Sequence, residues 1–259
     1  MNTLTVANWK MHGNRQEWQG LARQISEASA SIQTQIVLAV PAPAFFDVSE
    51  CVKNDSNVSL AAQDIHPKDE GAHTGNISAS MLQSFSGTYT LVGHSERRLE
   101  HAEKGILLNK KMKQALAHHI HPIFCFGESL EDRKSNKTIE RLDEQLQEGL
   151  NGIVISSADD LSLAYEPVWA ISSSAGSLGR EPSEQELEEV FCFLRSAVNK
   201  RFGEEVGKKI KLLYGGSVKP ENTEKIMKNH NISGVLVGGA SLKADVFMEI
   251  AEKVATSGL

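Results

Sequence analysis

The chain has 259 residues, 40% hydrophobic and 23% charged, which excludes a disordered chain, a collagen-like repeat and a disulfide-stapled miniprotein. That length can bury roughly three-quarters of the surface its unfolded form exposes, so core size sets no limit. With 27 basic against 33 acidic side chains the formal charge is -6, without the basic surplus of a general nucleic-acid or anionic-membrane binder; a small anion held by one local cation remains possible.

Cys51, Cys125 and Cys192 are odd in number and far apart, with no CxxC spacing. They read as reduced, mostly buried thiols rather than a disulfide framework or a zinc site. The first ten residues lack a basic start and a long apolar run, so no signal peptide is expected. The most apolar stretch, Ile36 to Phe46, is broken by Pro41 and Pro43 and is too short to span a bilayer. A soluble, cytoplasmic protein is the expectation.

In chain order, the first β-branched run is Leu4–Ala7, followed by a helical stripe of Trp18, Leu21, Ala22 and Ile25. Runs at Ile36–Val40, Val58–Ala62, Tyr89–Val92 and Ile123–Phe126 come next, then a stripe at Ile139, Leu142, Leu146 and Leu150. After Leu161–Tyr165, Pro182 precedes a capping-box pattern, Ser183 to Glu186, which opens a stripe at Leu187, Val190, Phe191, Leu194 and Val198. Ile210–Tyr214 and Val235–Val237 are the last two runs, and Leu242, Val246, Ile250 and Val254 make the last stripe. The runs recur about every 33 residues, the size of one βα unit, and most are apolar at successive positions, as strands buried on both faces should be.

Strand–helix alternation implies a parallel sheet, and eight units favour closure. The predicted fold class is α/β, a single (β/α)8 barrel domain over residues 1–259. An open dinucleotide-binding sheet would carry GxGxxG after its first strand; Asn8-Trp9-Lys10-Met11-His12-Gly13 stands there instead.

In such a barrel the C-terminal strand ends open on one mouth. Just beyond them lie Asn8 and Lys10, Gln63, His94 and Glu96, Glu128, Glu166, Gly215-Gly216-Ser217 and Gly238-Gly239. Singly, each has a structural explanation: a hydrogen-bonded histidine, a solvated glutamate before proline. Together they supply a cation, an imidazole and a carboxylate. Two glycine turns after strands seven and eight let backbone N–H groups approach an anion, which points to a phosphate-bearing ligand.

Asn8-Trp9-Lys10, Gly93-His94-Ser95-Glu96-Arg97-Arg98, Ala164-Tyr165-Glu166-Pro167-Val168-Trp169-Ala170-Ile171, Tyr214-Gly215-Gly216-Ser217-Val218 and Leu236-Val237-Gly238-Gly239-Ala240-Ser241-Leu242 together resemble the triosephosphate isomerase family, from strand one to the final helix. The resemblance implies a dimeric barrel that interconverts dihydroxyacetone phosphate and glyceraldehyde 3-phosphate without cofactor or metal. It implies Glu166 as the base, His94 as the electrophile, Lys10 as the stabilising charge and Glu96 as its support. Asn8 would contact substrate, and Ser217, Gly238 and Gly239 would donate to its phosphate. The residue types agree: isomerisation needs a carboxylate base, a donor at the developing oxyanion and fixed positive charge. His94 precedes Ser95-Glu96-Arg97, a potential short helix whose N-terminus disfavours imidazolium, an effect for which this family is the standard illustration. Ile171 and Leu236 are expected to form a dry cover over Glu166.

The chain departs from the family pattern after Trp169. Where the family has Ile-Gly-Thr-Gly-Lys, it reads Ile171-Ser172-Ser173-Ser174-Ala175-Gly176-Ser177-Leu178-Gly179-Arg180, about three residues longer. This would be the lid loop; Ser172 keeps an N–H for the phosphate, and the longer lid leaves room for a four-carbon ketose phosphate as an alternative substrate. A non-catalytic phosphate-binding barrel is the second alternative. In Gly71-Ala72-His73-Thr74-Gly75-Asn76, similar to the family's dimerising loop, His73 and Asn76 replace the usual Phe and Glu, while Thr74 supports a homodimer through this loop. His118, His119 and His121 read as residues of a helix end rather than metal ligands, Cys125 as a packed strand residue, and Lys208-Lys209-Ile210-Lys211 as a solvated entry to strand seven.

Overall fold

The apolar runs form strands because, at successive positions, they bury side chains alternately inside a ring and against a surrounding layer of helices. The computed structural model describes residues 3–171 and 180–257. Within them the order is β1 (Thr3–Asn8), α1 (Arg15–Ser29), β2 (Thr34–Val40), α2 (Phe45–Val52), β3 (Val58–Ala62), α3 (Ala79–Ser84), β4 (Gly87–Val92), α4 (Ser95–Glu100), α5 (Gly105–Ala117) and β5 (His121–Phe126). It continues with α6 (Leu130–Lys134), α7 (Thr138–Gly149), β6 (Ser162–Tyr165), α8 (Glu184–Phe202), α9 (Glu204–Gly207), β7 (Lys211–Tyr214), α10 (Pro220–Met227), β8 (Gly234–Val237) and α11 (Ala244–Ser257). The strands pair in sequence order, all parallel, and β8 returns to β1 through Leu4↔Gly234 to Ala7↔Val237, closing the barrel.

Two apolar layers follow from the strand alternation. Leu4, Val6, Val37, Ala39, Leu91, Ile123, Leu213 and Leu236 belong to one buried cluster, whereas Ala7, Leu38, Phe124, Leu163, Tyr165, Leu212 and Val235 join the helical stripes in another. The stripe residues Ala22, Ile25, Leu142, Leu146, Val190, Leu194, Ile250 and Val254 are buried. The expected capping box opens α8: Ser183 Oγ accepts from the Glu186 N–H, and the Glu186 carboxylate accepts from the Ser183 N–H.

Polar residues make β2 and β4 begin earlier than their apolar runs. Thr34 accepts a 2.8 Å hydrogen bond from Thr3, and Gly87 sits where a Cβ would overlap Leu82. The three histidines divide between elements: His118 caps α5, His119 adopts φ +52°, and His121 opens β5 rather than ending a helix. Among the described residues no group of three His, Cys, Asp or Glu assembles as a metal site. Nor is any helix long and apolar enough to cross a membrane. The thiols are free, but Cys192 is exposed against expectation; only Cys125 is fully buried.

His121 makes stability depend on pH. Its Nδ1 donates to the Asp159 carbonyl at 2.5 Å and its Nε2 pairs with Ser162 Oγ at 2.8 Å, accepting from the hydroxyl when the ring is neutral. Burial pulls its pKa from 6.5 down to about 4. Between those values the unfolded chain binds more protons than the folded one, so stability falls as pH falls. From pH 7.5 to 5 this one residue should cost about 2 kcal/mol. A His121→Asn variant keeps a donor toward Asp159 but cannot titrate, and should lose correspondingly less over that interval in urea unfolding. Equal losses in both proteins would remove His121 from the acid response.

Candidate active site

Lys10 is presented by a strained turn at the end of β1. Its φ is +51°, a left-handed value that carries a cost for a non-glycine residue, on the order of 1 kcal/mol or more. Both backbone groups of the residue are tied. Asn8 Oδ1 accepts the Lys10 N–H at 3.0 Å, and Gln63 Nε2 donates to the Lys10 carbonyl at 2.9 Å and to the Ala39 carbonyl at 3.0 Å. The Lys10 ammonium lies 2.6 Å from Glu96 Oε1.

At the end of β4 the expected short helix is present as α4, with His94 as its N-cap. Nδ1 of His94 accepts the Glu96 N–H at 3.3 Å, so the ring's proton is assigned to Nε2. That nitrogen faces Glu166 Oε1 at 3.6 Å. Glu166, 1% exposed, follows β6; its N–H donates to the Phe126 carbonyl at 2.8 Å. Its Oε2 accepts the Ser95 N–H at 2.9 Å, while Oε1 has no hydrogen-bond partner among the described residues. Gly127 must be glycine here, because a Cβ would overlap the Glu166 carbonyl.

These groups line one cavity of about 310 Å³. Asn8, Lys10, His94 and Glu166 line it, and Ile171 and Leu236 contribute apolar lining. Gly215, Gly216, Ser217, Gly238 and Gly239 line it as well, Gly215 packing against Glu166 and Gly238 against the Lys10 stem. At Gly239 the position of a Cβ is open space, so a ligand can approach the backbone. The Ser217 N–H is engaged, donating to the Ala170 carbonyl at 3.2 Å. Ser172 lies outside the described residues.

Glu128 is not at the mouth, although it follows β5. It is fully buried beneath the segment after β6, where Oε1 accepts from Trp169 Nε1 at 2.8 Å and from the Tyr165 hydroxyl at 3.1 Å. Burial pushes its carboxyl above the usual range, and those two donors pull the other way. Arg180 stacks on Trp169 at 4.6 Å and Arg133 lies 5.6 Å from the same ring; both guanidiniums bind Glu186. The chain leaving β6 is thereby anchored to the start of α8.

Sequence reasoning passed over Ser95, His12 and Lys219. Ser95 had a signal, since it follows His94 and opens a helix whose N–H groups point back toward an anion. His12 and Lys219 line the cavity from loops whose course no periodicity reveals.

Known proteins share this arrangement of chain. The family model described as triosephosphate isomerase matches residues 3–254. A triosephosphate isomerase of Carboxydothermus hydrogenoformans is 39% identical over 95% of this chain and 96% of its own length. One from Fusobacterium nucleatum subsp. nucleatum is also 39% identical, covering 96% and 98%. The crystal structure of triosephosphate isomerase from Bartonella henselae superposes with a TM-score of 0.87 at 34% identity, covering 98% of this chain and 99% of that one. Whole-length similarity in sequence and in barrel geometry makes this chain a member of the triosephosphate isomerase family.

Proposed function

We propose that the chain interconverts dihydroxyacetone phosphate and D-glyceraldehyde 3-phosphate through an enediolate, with no cofactor or metal. The observation that carries this reading is the convergence of the Glu166 carboxylate, the His94 imidazole with its proton assigned to Nε2 and the Lys10 ammonium on a cavity also lined by the glycine turns after β7 and β8. Glu166 removes a proton from C1 of the ketone. The C–H electron pair becomes the C1–C2 double bond, and the carbonyl pair moves onto O2. His94 Nε2–H donates to that oxygen and relays the hydroxyl proton from O1 to O2, after which Glu166 returns its proton to C2. Lys10 offsets the negative charge of phosphate and enediolate, and Glu96 fixes its ammonium.

Asn8 contacts substrate, while Ser172, Ser217, Gly238 and Gly239 donate to the phosphate. For Ser217 this means exchanging the Ala170 carbonyl for a phosphate oxygen as the ligand enters. The barrel acts as one cytoplasmic domain and as a homodimer through the loop around Thr74. Support for association comes from apolar side chains left exposed on α2 and α3: Phe46 is 57% exposed, Met81 53%, and Phe46 meets Phe85 edge-to-face at 6.4 Å. A monomer in sedimentation at micromolar concentration would remove the dimer.

A coupled assay with glyceraldehyde 3-phosphate tests the activity, run beside a four-carbon ketose phosphate and with solvent exchange of the carbon-bound proton followed by NMR. Turnover of the triose with exchange is expected. Phosphate-ligand binding without exchange would leave a binding barrel, and faster turnover of the tetrulose would change the substrate.

A further inference from the structure

Arg98 is tied to the backbone at the site rather than to a carboxylate. Its Nε donates to the Gly93 carbonyl at 2.6 Å and its Nη2 to the Cys125 carbonyl at 2.8 Å. The guanidinium also lies 5.6 Å from the Phe124 ring. The place of these bonds is informative. The β4–β5 ladder ends at Val92↔Phe124, so Gly93 and Cys125 stand one step beyond the last backbone pair. Arg98 replaces the missing rung, and two donors in a rigid fork suit two carbonyls.

Each end of this staple leads to a reacting group. Gly93 immediately precedes His94, and at φ +80° it packs so closely that a Cβ would stand 3.0 Å from both Arg98 Nη2 and the Cys125 carbonyl. On the other side, Cys125 precedes Phe126, whose carbonyl accepts the Glu166 N–H at 2.8 Å. His94 and Glu166 belong to the ends of β4 and β6, with β5 between them. Arg98 is itself fixed to the histidine's turn, its N–H donating to the His94 carbonyl at 3.1 Å. Burial lowers the guanidinium pKa, so its charge is held there at a cost, offset in part by the fields of the carboxylates Glu166, Glu148 and Glu103. A surface arginine that merely solvated α4 would carry none of these ties.

We propose that Arg98 is a positioning residue of the isomerisation, one that sets the spacing of His94 against Glu166 by joining the β4 and β5 ends past their ladder. The inference rests on the isomerase reading above. A displacement of about 1 Å between reacting groups costs on the order of 10²-fold in rate, without altering contacts to the remote phosphate. Arg98→Gln should therefore lower kcat by about 10–100-fold while KM and the affinity for inorganic phosphate stay within about twofold. Arg98→Lys, which keeps the charge and offers a point donor in place of the fork, should fall between Gln and wild type.

The experiment measures kcat, KM, phosphate affinity and thermal unfolding for wild type and both variants, with rates normalised to folded protein. Should Arg98→Gln not fold, Arg98→Lys decides alone, and a kcat at least about fivefold down at unchanged KM is expected. An active wild type whose folded variants keep kcat within twofold, or lose kcat only in proportion to folded protein, overturns the inference and assigns Arg98 to stability. A wild-type chain inert toward glyceraldehyde 3-phosphate overturns the isomerase reading first, and the inference with it.

Discussion

Glu166→Gln is expected to leave a folded protein that binds phosphate and turns over triose phosphate 10²–10⁴-fold more slowly, about the range one positioned general base supplies. The amide is isosteric and keeps an oxygen to accept the Ser95 N–H, now 2.9 Å from Oε2. Its NH2 would face His94 Nε2, which lies 3.6 Å from Oε1, so two donors would meet where a carboxylate and a donor now do. No neighbour can take over. Glu96 is bound to Lys10, Glu128 is buried behind Trp169, and burial lifts the Cys125 thiol well above its ordinary pKa, too high to serve as a base. Glu166→Asp separates charge from position: the carboxylate remains but retreats by one methylene, and a loss on the order of 10²-fold is expected. Turnover by the Gln variant above half of wild type would sink the assignment of the base.

Lys10→Met should raise KM and lower kcat together, with a combined loss in kcat/KM of about 10³-fold or more. The substitution removes the ammonium 2.6 Å from Glu96 Oε1, so the site loses a positive charge and unmasks a negative one facing an anionic substrate. Pairing it with Glu96→Gln should recover part of the KM effect and little of kcat. Lys10→Arg should rescue poorly. The lysine stem runs close to the loop after β8, where a Cβ on Gly238 would stand 3.4 Å from Lys10 Cε, which leaves little space for a planar fork. A Lys10→Met enzyme changed only in KM would make Lys10 a uniform binder of substrate and transition state.

The barrel was legible because its strands are buried on both faces. Val58–Ala62, Ile123–Phe126 and Ile210–Tyr214 read as largely apolar runs whose spacing left room for a helix after each, although two helices, α6 and α7, follow the second. Helix starts were legible where a cap is a local event, as at Ser183 and Glu186. The short helices α2, α3, α4 and α6 carry too few turns to establish a period, and of these only α4 was anticipated, from its place after His94.

For the site, the sequence by itself determined which chemical groups stand at strand ends, since in a parallel barrel chain order fixes which ends share a mouth. Asn8, Lys10, His94, Glu166 and the two glycine turns were placed on one cavity by that rule alone. Only the tertiary structure decided which way a strand-end side chain points. Glu128 satisfies the same rule but turns inward to Tyr165 and Trp169, Gln63 reaches back to the Lys10 carbonyl, and Arg98 reaches the carbonyls of Gly93 and Cys125. Apart from the Arg98–Gly93 bond, whose partners are five residues apart, those directions follow from hydrogen-bond demand between segments 27 to 53 residues apart. A buried carboxylate or carbonyl must find a donor, and the donor it finds is a matter of distance in the folded barrel, which no local pattern encodes.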